Sequence, residues 1–313
     1  MFPSFMRQLR TLLVLGRISN LPTVWSNCLA AWLLNGGDSW NNFYVLCIGA
    51  TLLYIGGMFL NDAFDAAFDH QFRKERPIPS GQITARAVWV IGSTLLLLGW
   101  LLMCLMGLSV ALPALLLVGA IILYDAVHKR TTFAPLLMAA CRFLLYVVAA
   151  SATMRAVNDA IVWHGLALAA YITGLSFLAR GESGQGLTSR WPLLLLSAPL
   201  VAVLMINSNR DMISWIAWAL LLAWMLWCLR GMVGMLGNGR ARHSVRAVSG
   251  QSEDVAHGLT RPTYNVGKCV AGLLAGIVLV DWAAAPQMAV EFDLVFIGLF
   301  VLALILQRKI PAT

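Results

Sequence analysis

The sequence has few charged residues for its size. Only 12% of its 313 residues are Asp, Glu, Lys or Arg, and 60% are hydrophobic, whereas soluble domains contain roughly 25% charged and 45–50% apolar residues. A soluble chain with so little charge could not cover its surface with polar groups, and the mean hydropathy is +0.78. The composition therefore indicates an integral membrane protein and excludes disordered, collagen-like and disulfide-rich classes.

Cysteine motifs and the motifs of many soluble enzymes are also missing. No cysteine belongs to a CxxC pair or a His/Cys cluster, which argues against a zinc site or a disulfide framework. The chain has no Ser/His/Asp or Cys/His triad, no P-loop and no dinucleotide-binding motif. We interpret the cysteines as small buried apolar residues; they are Cys28, Cys47, Cys104, Cys141, Cys228 and Cys269.

Hydrophobic segments long enough to cross a bilayer occur throughout the chain. A spanning helix needs about 20 mostly apolar residues, and ten segments approach or exceed that length. The sequence therefore predicts an all-α, polytopic transmembrane bundle of nine or ten helices. The segments are 18–35, 42–66, 86–106, 109–127, 135–153, 161–180, 191–208, 213–236, 264–284 and 291–308.

The basic residues are distributed unequally between the two sides of this bundle. If the N-terminus lies inside, 19 of the 22 Lys and Arg residues fall on the inner side. Only Arg155 and Arg210 fall outside, and Arg142 lies within the fifth segment. Because basic residues concentrate in cytoplasmic loops, we expect a multi-pass protein of the bacterial inner membrane with both termini in the cytoplasm. This placement explains the net charge of +8 without a nucleic-acid partner.

An acidic cluster marks the end of the second segment. Asp65 lies four residues after Asn61 and three after Asp62, and Asp69 lies four residues after Asp65, so the four residues share one face of a helix. Three carboxylates on one face repel each other unless a cation neutralises them, and oxygen ligands favour Mg²⁺ or Ca²⁺. Since Mg²⁺ is usually held by one or two carboxylates together with substrate phosphates, the cluster predicts a metal-bridged phosphate or pyrophosphate. The alternative is a solvated helix end where acidic residues happen to cluster.

Basic residues and prolines follow the acidic cluster directly. Arg73, Lys74 and Arg76 lie close enough in sequence to contact the same phosphate oxygens, or else anionic lipid headgroups. Pro77 and Pro79 favour an end to the helix before the third segment begins.

The run NDAFDAAFD followed by RPIPSGQIT resembles the first signature of the UbiA superfamily of intramembrane prenyltransferases. That signature reads N-D-x-x-D-x-x-x-D and then R-P-(I/L)-x-x-G, as in 4-hydroxybenzoate polyprenyltransferase-like members. The resemblance implies a single transmembrane domain over residues 1–313, with helices around a central cavity. It also implies Mg²⁺ as cofactor, metal ligands at Asn61, Asp62, Asp65 and Asp69, and catalytic roles for Asp62 and Asp65.

A second polar cluster ends the fourth segment. The run YDAVHKR resembles the family element Y-x-x-x-K-R, shifted by one residue. The resemblance implies that Lys129 and Arg130 contact pyrophosphate and that Tyr124 lies near the reacting centre; ordinary cytoplasmic anchoring is the alternative. A charge at Arg142 within the membrane requires a partner, for which Asp125 and the motif carboxylates are candidates. Its role is either structural ion pairing or substrate binding.

The sequence departs from the family pattern after the sixth segment. The family has a second acidic motif there, commonly D-x-x-x-D, but Glu182 is the only acid between Asp159 and Asp211. The second metal site is therefore either reduced to Glu182 or built differently, and Arg180 is a candidate to hold pyrophosphate oxygens directly. The loosened motif, together with YDAVHK and MAACRFLLY, resembles the EboC-like branch of the family.

The resemblance favours Mg²⁺-dependent transfer of an isoprenyl group from a prenyl diphosphate to a lipophilic, aromatic acceptor, with membrane lipids as surroundings. Two alternatives stay open. One is a transporter, although polar residues gather at one membrane face and no internal repeats are visible. The other is a catalytically weak relative that binds a prenyl lipid within a larger assembly.

Overall fold

The structure, a computed structural model, describes residues 2–37, 39–153, 155–181, 191–207, 212–245, 266–285 and 290–310. These residues form thirteen α-helices and one 3₁₀ turn, with no strand among them. The helices are α1 Phe2–Leu15, α2 Leu21–Leu34, α3 Trp40–Phe72, α4 Ala85–Cys104, α5 Leu108–Val127, α6 Ala134–Ser151, α7 Asp159–Gly181, α8 Trp191–Leu196, α9 Ala198–Ile206, α10 Met212–Val245, α11 Val266–Ala275, α12 Ile277–Ala284 and α13 Val290–Lys309.

Each of the ten hydrophobic segments contains helix, but not every segment is one long helix. Within the described residues, eight stretches are long and apolar enough to cross a membrane. The first segment is shorter than predicted, because the 3₁₀ turn Ile18–Asn20 precedes the 14-residue α2. The seventh segment is divided at Ser197 into α8 and α9, with Pro199 in the first turn of α9. A proline there lacks the N–H that a continuous helix would need, which explains the division.

Helix α3 is the longest element that approaches the acidic cluster. Its 33 residues span about 50 Å at 1.5 Å per residue, more than the roughly 30 Å of a bilayer core. The helix continues six residues beyond the predicted segment end at residue 66 and ends at Phe72. The whole acidic cluster therefore stays helical and keeps its common face.

Glycines bring α3 and α4 into backbone contact. A methyl group placed on Gly56 would lie 2.9 Å from the Gly92 carbonyl oxygen, and one on Gly99 would lie 3.0 Å from the Gly49 carbonyl oxygen. Gly49 and Gly56 are seven residues apart on α3, and Gly92 and Gly99 are seven residues apart on α4. The two contacts therefore lie along one line between the helices, the glycine seam. Small residues allow such close helix packing in membranes, and this seam fixes the position of α3.

The centre of the bundle is α2, in which twelve of fourteen residues are buried. It packs against α3, α6, α12 and α13, while α5, α6 and α7 pack side by side. Outward-facing apolar side chains such as Leu112, Leu116 and Leu294 are exposed, as expected where lipid replaces water. The inner faces of α2, α3, α5, α6, α7 and α11 leave a cavity between them.

Candidate active site

The acidic cluster forms a buried stripe on the last turns of α3. Asn61, Asp62, Asp65 and Asp69 are between 3% and 8% exposed, although they lie near the end of a helix. Burial of several carboxylates is costly unless cations or hydrogen-bond donors surround them. Neighbouring links and helix ends supply these groups.

Asp62 is paired with two arginines. Its Oδ1 lies 3.6 Å from a terminal nitrogen of Arg17 and 3.6 Å from one of Arg76. Arg76 comes from the loop after α3, as the motif predicted, whereas Arg17 comes from the link between α1 and α2. Two chain segments thus converge on one carboxylate.

Asp65 and Asp69 are held by the end of α5. Lys129 Nζ lies 2.8 Å from Asp65 Oδ1 and 3.9 Å from Asp69 Oδ1. The same ammonium lies 3.8 Å from the centroid of the Phe68 ring, which adds a cation–π contact. The prediction that Lys129 belongs with the acidic motif agrees with this geometry.

His128 joins the same group, although the sequence alone did not distinguish it. Its Nε2 lies 3.3 Å from Asp65 Oδ1, and its ring stacks on Tyr124 with centroids 5.1 Å apart. Burial lowers the pKa of the His128 imidazole, but the hydrogen bond and charge of Asp65 outweigh burial and raise that pKa above its ordinary value. Protonation of His128 would add a further positive charge at the stripe.

Asn61 connects the stripe to a fourth carboxylate. Its Nδ2 donates to Asp125 Oδ1 at 3.0 Å, and its Oδ1 accepts from Arg17 at 3.1 Å. Asp125 Oδ2 and Asp69 Oδ1 are buried oxygens without a hydrogen-bond partner. Buried oxygens nearly always have a hydrogen-bond partner in proteins, so these two atoms are open to a water, an ion or a ligand.

Arg17 holds an unusual backbone conformation. Its φ of 42° and ψ of 49° lie in the left-handed region, and it is the only non-glycine residue with positive φ among those described. The Tyr54 hydroxyl donates to the Arg17 carbonyl at 3.2 Å, which helps to hold this conformation. Strained backbone is often found at functional sites. In the sequence, Arg17 is only one of several basic residues expected on the cytoplasmic side, because many membrane helices are preceded by a basic residue.

The stripe adjoins a cavity of about 610 Å³ through Arg17 and Asp125, which both contact Asn61 and both line the cavity. Arg17, Arg73, Tyr124, Asp125 and Arg180 supply polar groups to its lining. Most of the remaining lining is apolar, which suits a hydrocarbon chain. The apolar lining includes Val24, Leu53, Met58, Leu117, Ile121, Leu145, Ile172, Leu175, Val270 and Leu274.

The other predicted phosphate-binding residues have different environments. Arg180 donates to the backbone carbonyls of His128, Thr131 and Thr132 at 3.0–3.3 Å, so it caps the chain just after α5. It also lines the cavity. Arg130 is exposed and is not among the cavity-lining residues. The predicted metal ligand Glu182 lies outside the described residues.

Both sequence-based partners for Arg142 are wrong. Its guanidinium contacts neither Asp125 nor the motif carboxylates, but donates to Asn27 Oδ1 at 2.7 Å and to Thr23 Oγ1 at 3.0 Å. The reason is that α6 packs its middle against α2, which turns Arg142 away from the end of α3. Asp125 is instead occupied by Asn61.

The stripe has the chemistry of a magnesium site. Three carboxylates supply hard oxygen donors, and Asp69 Oδ1 is buried without a hydrogen-bond partner. Among the described residues, no three His, Cys, Asp or Glu side chains already form a cation cage. An ion bound here would complete its shell with substrate phosphate and water. The residues that fit the ion are Asp62, Asp65 and Asp69, with the Asn61 carbonyl oxygen beside them.

Comparison with known proteins gives consistent matches to one family. A sequence profile of the UbiA prenyltransferase family matches residues 19–244. A 4-hydroxybenzoate octaprenyltransferase of Pseudomonas aeruginosa is 28% identical over 144 residues, which are 45% of this chain and 47% of that protein. One of Thiobacillus denitrificans is 32% identical over 104 residues, 32% of this chain and 34% of that protein. The matched segments span 22–47% of the length of the curated relatives.

Solved structures share the fold at low sequence identity. A UbiA homologue from Aeropyrum pernix, solved in its apo form, superposes with a TM-score of 0.62 at 14% identity, covering 90% of this chain and 98% of that chain. A UbiA homologue from Archaeoglobus fulgidus bound to DMAPP and Mg²⁺ gives a TM-score of 0.52 at 12% identity, covering 96% and 98%. The predicted all-α bundle is confirmed, and the chain is a multi-pass integral membrane protein that belongs to the UbiA prenyltransferase family.

Proposed function

We propose that the protein transfers an isoprenyl group from a prenyl diphosphate to a lipophilic, aromatic acceptor within the membrane, with Mg²⁺ as cofactor. The observation that carries the proposal is the position of the acidic stripe and its basic partners beside an apolar cavity. A prenyl diphosphate has the same two parts, a highly charged head and a hydrocarbon tail. The names of the relatives, 4-hydroxybenzoate octaprenyltransferases, and the DMAPP-bound and GPP-bound homologues support the same reaction class.

The ion pairs of the site suggest how the diphosphate is held. Arg76 and Lys129 neutralise Asp62 and Asp65 in the free protein, and a bound diphosphate offers them phosphate oxygens instead. Mg²⁺ would be held by Asp62, Asp65 and Asp69 and would supply positive charge that offsets the charge of the carboxylates and of the phosphates. Each basic side chain then exchanges one anionic partner for another, so no cation is left unpaired.

The reaction itself is a substitution at the first carbon of the isoprenyl chain. The C–O bond breaks and its electron pair leaves with pyrophosphate, whose charge Lys129 and Arg76 stabilise. The allylic cation that remains can be stabilised by aromatic faces, which Tyr54 and Tyr124 supply to the cavity lining. The acceptor carbon forms the new bond and loses its proton. Positioning and electrostatics supply the rate enhancement.

Placement in the cell forms part of the proposal. We infer one domain over residues 1–313, both termini in the cytoplasm of a bacterium, and the stripe at the inner-membrane face. A prenyl-lipid-binding protein without turnover is the second candidate, since the family's second acidic motif is reduced to Glu182 in the sequence.

Pyrophosphate release by the purified protein tests the enzyme. We expect release that requires Mg²⁺, a prenyl diphosphate from a panel of chain lengths, and membrane extract as the source of acceptor; mass spectrometry identifies the product. Asp62→Ala and Asp65→Ala should each lower turnover at least about 100-fold. Their folds should survive because the basic partners can be hydrated: Arg17 and Arg76, which pair with Asp62, are 22% and 24% exposed, and Lys129, which pairs with Asp65, is 29% exposed.

Asp159→Asn is the matched control, because Asp159 is an exposed acid in the first turn of α7, outside the site. Wild-type turnover in Asp62→Ala or Asp65→Ala would refute the assigned roles. Prenyl diphosphate binding without release of pyrophosphate would favour the binding protein. Uptake of substrate into proteoliposomes without such release would favour the transporter.

A further inference from the structure

Helix α1 is attached to the rest of the protein near its C-terminal end. Leu15 is fully buried in one apolar cluster with Phe59 and Val88. Thr11, also buried, donates from its hydroxyl to Gln82 Oε1 at 2.9 Å. Gln82 belongs to the link between α3 and α4, which contains four successive charged residues and therefore lies outside the hydrocarbon core. Helix α1 is thus held against this link, at the end of the bundle that carries the acidic stripe.

The side of α1 that points away from these contacts is apolar. Met6, Leu9 and Leu12 are exposed, and because they are three residues apart they lie within an arc of about 120° around the helix. Leu9, at the centre of this arc, points about 160° away from Thr11 and about 120° away from Leu15. A surface helix of a soluble protein turns its apolar side toward the protein core. Helix α1 does the opposite, as expected of a helix whose apolar side contacts lipid.

Basic residues accompany the apolar side. Arg7 and Arg10 are exposed, and none of the ion pairs within the described part of the chain includes either of them. The sequence contains no Asp or Glu before Asp38. Arg10 borders the apolar side, about 100° from Leu9 around the helix. An apolar side flanked by basic residues is typical of helices that lie on an anionic membrane surface.

The length and charge of α1 exclude other arrangements. Its 14 residues extend about 21 Å, less than the roughly 30 Å of a bilayer core, so it does not cross the membrane. A second copy of the protein would have to place its own α1 on this side in a symmetric contact. That contact would bring Arg7 and Arg10 of both copies together, where their like charges repel each other.

We propose that α1 is a docking helix for anionic phospholipid headgroups at the membrane surface nearest the acidic stripe. Met6, Leu9 and Leu12 contact the acyl chains, and Arg7 and Arg10 contact the headgroup phosphates. A long arginine side chain reaches from an apolar surface to the polar layer, so both contacts form at once. The proposal is independent of the proposed function, because none of these residues belongs to the stripe or lines the cavity.

The experiment uses a fluorophore on the full-length protein in nanodiscs of phosphatidylcholine and phosphatidylglycerol in equal parts. A chain whose own cysteines are replaced carries either Leu9→Cys or Lys74→Cys, and the cysteine is labelled. Lys74 is exposed on the link and controls for any attraction of the fluorophore itself to lipid. Lipids with a spin label on the acyl chain should quench the fluorophore at position 9, and aqueous iodide should quench the one at position 74.

The preference for anionic lipid is measured with the fluorophore at position 9. Spin-labelled phosphatidylglycerol should quench it at least about five-fold more strongly than the same amount of spin-labelled phosphatidylcholine, the factor for one basic residue near an anionic surface. Arg7→Gln/Arg10→Gln should abolish this preference while keeping α1 helical, because glutamine and arginine have similar helix propensities. The matched control Arg308→Gln/Lys309→Gln removes two exposed charges from the last turn of α13 and should keep the preference.

Four results would overturn the proposal. The first is equal quenching by the two lipids in the chain with its native arginines. The second is an unchanged preference in Arg7→Gln/Arg10→Gln, or an equal loss in the α13 control, which would indicate a response to net charge alone. The third is quenching by iodide at position 9, which would place α1 in water. The fourth is protection of that position from both lipid and iodide, which would indicate that protein, such as a second copy, covers α1.

Discussion

The variants Arg17→Gly and Arg17→Ala both lack the guanidinium, but they differ in the backbone conformations that residue 17 prefers. Both variants lose the hydrogen bond to Asn61 and the ion pair with Asp62. They differ in how easily residue 17 adopts φ 42° and ψ 49°, the conformation that joins α1 to the 3₁₀ turn. The difference in stability between the two variants therefore measures the backbone contribution without the contribution of the guanidinium.

The expected difference in stability follows from the left-handed conformation. It costs a residue with a Cβ roughly 1–2 kcal/mol, whereas glycine adopts it freely but loses about 0.5–1 kcal/mol more entropy on folding. The Arg17→Gly variant should thus be more stable than the Arg17→Ala variant by up to about 1 kcal/mol, or about 2 °C in Tm. At an ordinary helical position the alanine variant would be more stable than the glycine variant.

Thermal unfolding in one detergent and Mg²⁺-dependent pyrophosphate release are the two assays. Both variants should lose turnover to the same extent, by about 10–100-fold or more, because the lost guanidinium pairs with Asp62 in the motif. An Arg17→Ala protein at least as stable as Arg17→Gly would refute the account of the backbone. Wild-type turnover in both would refute the account of the site.

Three further outcomes are expected. Single cysteines at Asn41 and Lys74, in a chain whose own cysteines are replaced, should react with impermeant reagents from opposite sides of the membrane; labelling from the same side would contradict the topology. His128→Gln should destabilise the Mg²⁺-free protein most below about pH 6.5, the ordinary histidine pKa. The loss of stability should shrink as pH rises through the raised pKa of His128, and a Tm difference between variant and wild type that grows with pH would contradict this prediction. Arg180→Ala should weaken pyrophosphate affinity more than Glu182→Gln does, and equal affinity in both variants and the wild type would exclude this loop from the site.

The helical architecture and the acidic stripe could be predicted because both depend on local sequence. Apolar segments of about 20 residues form membrane helices whatever their neighbours are. The spacing of Asn61, Asp62, Asp65 and Asp69 places them on one face of any helix. The length of α3 and the divisions near Ile18, Ser197 and Gly276 needed the structure, because helix ends depend on local capping and packing.

The partners of the stripe depend on how distant segments pack, and there sequence reasoning was less successful. Lys129 was predicted because a known motif contains it. Arg17 and His128 were not, since a basic residue at a membrane boundary has no distinguishing pattern. Arg142 was assigned the wrong partners because charge alone suggested a carboxylate, whereas the packing of α6 on α2 supplies Thr23 and Asn27.

The glycine seam between α3 and α4 makes the chemistry sensitive to substitutions that touch no substrate. Gly56 lies six residues, or about 9 Å, before Asp62, and its backbone meets that of Gly92. An added methyl group would push α3 sideways and carry the carboxylates away from Lys129, so the site would be misaligned while every catalytic side chain remained in place. Gly119 and Gly298 have open space around them and should accept alanine. Tolerance to mutation in this protein should therefore follow the distance between helix backbones more closely than the distance from the reacting atoms.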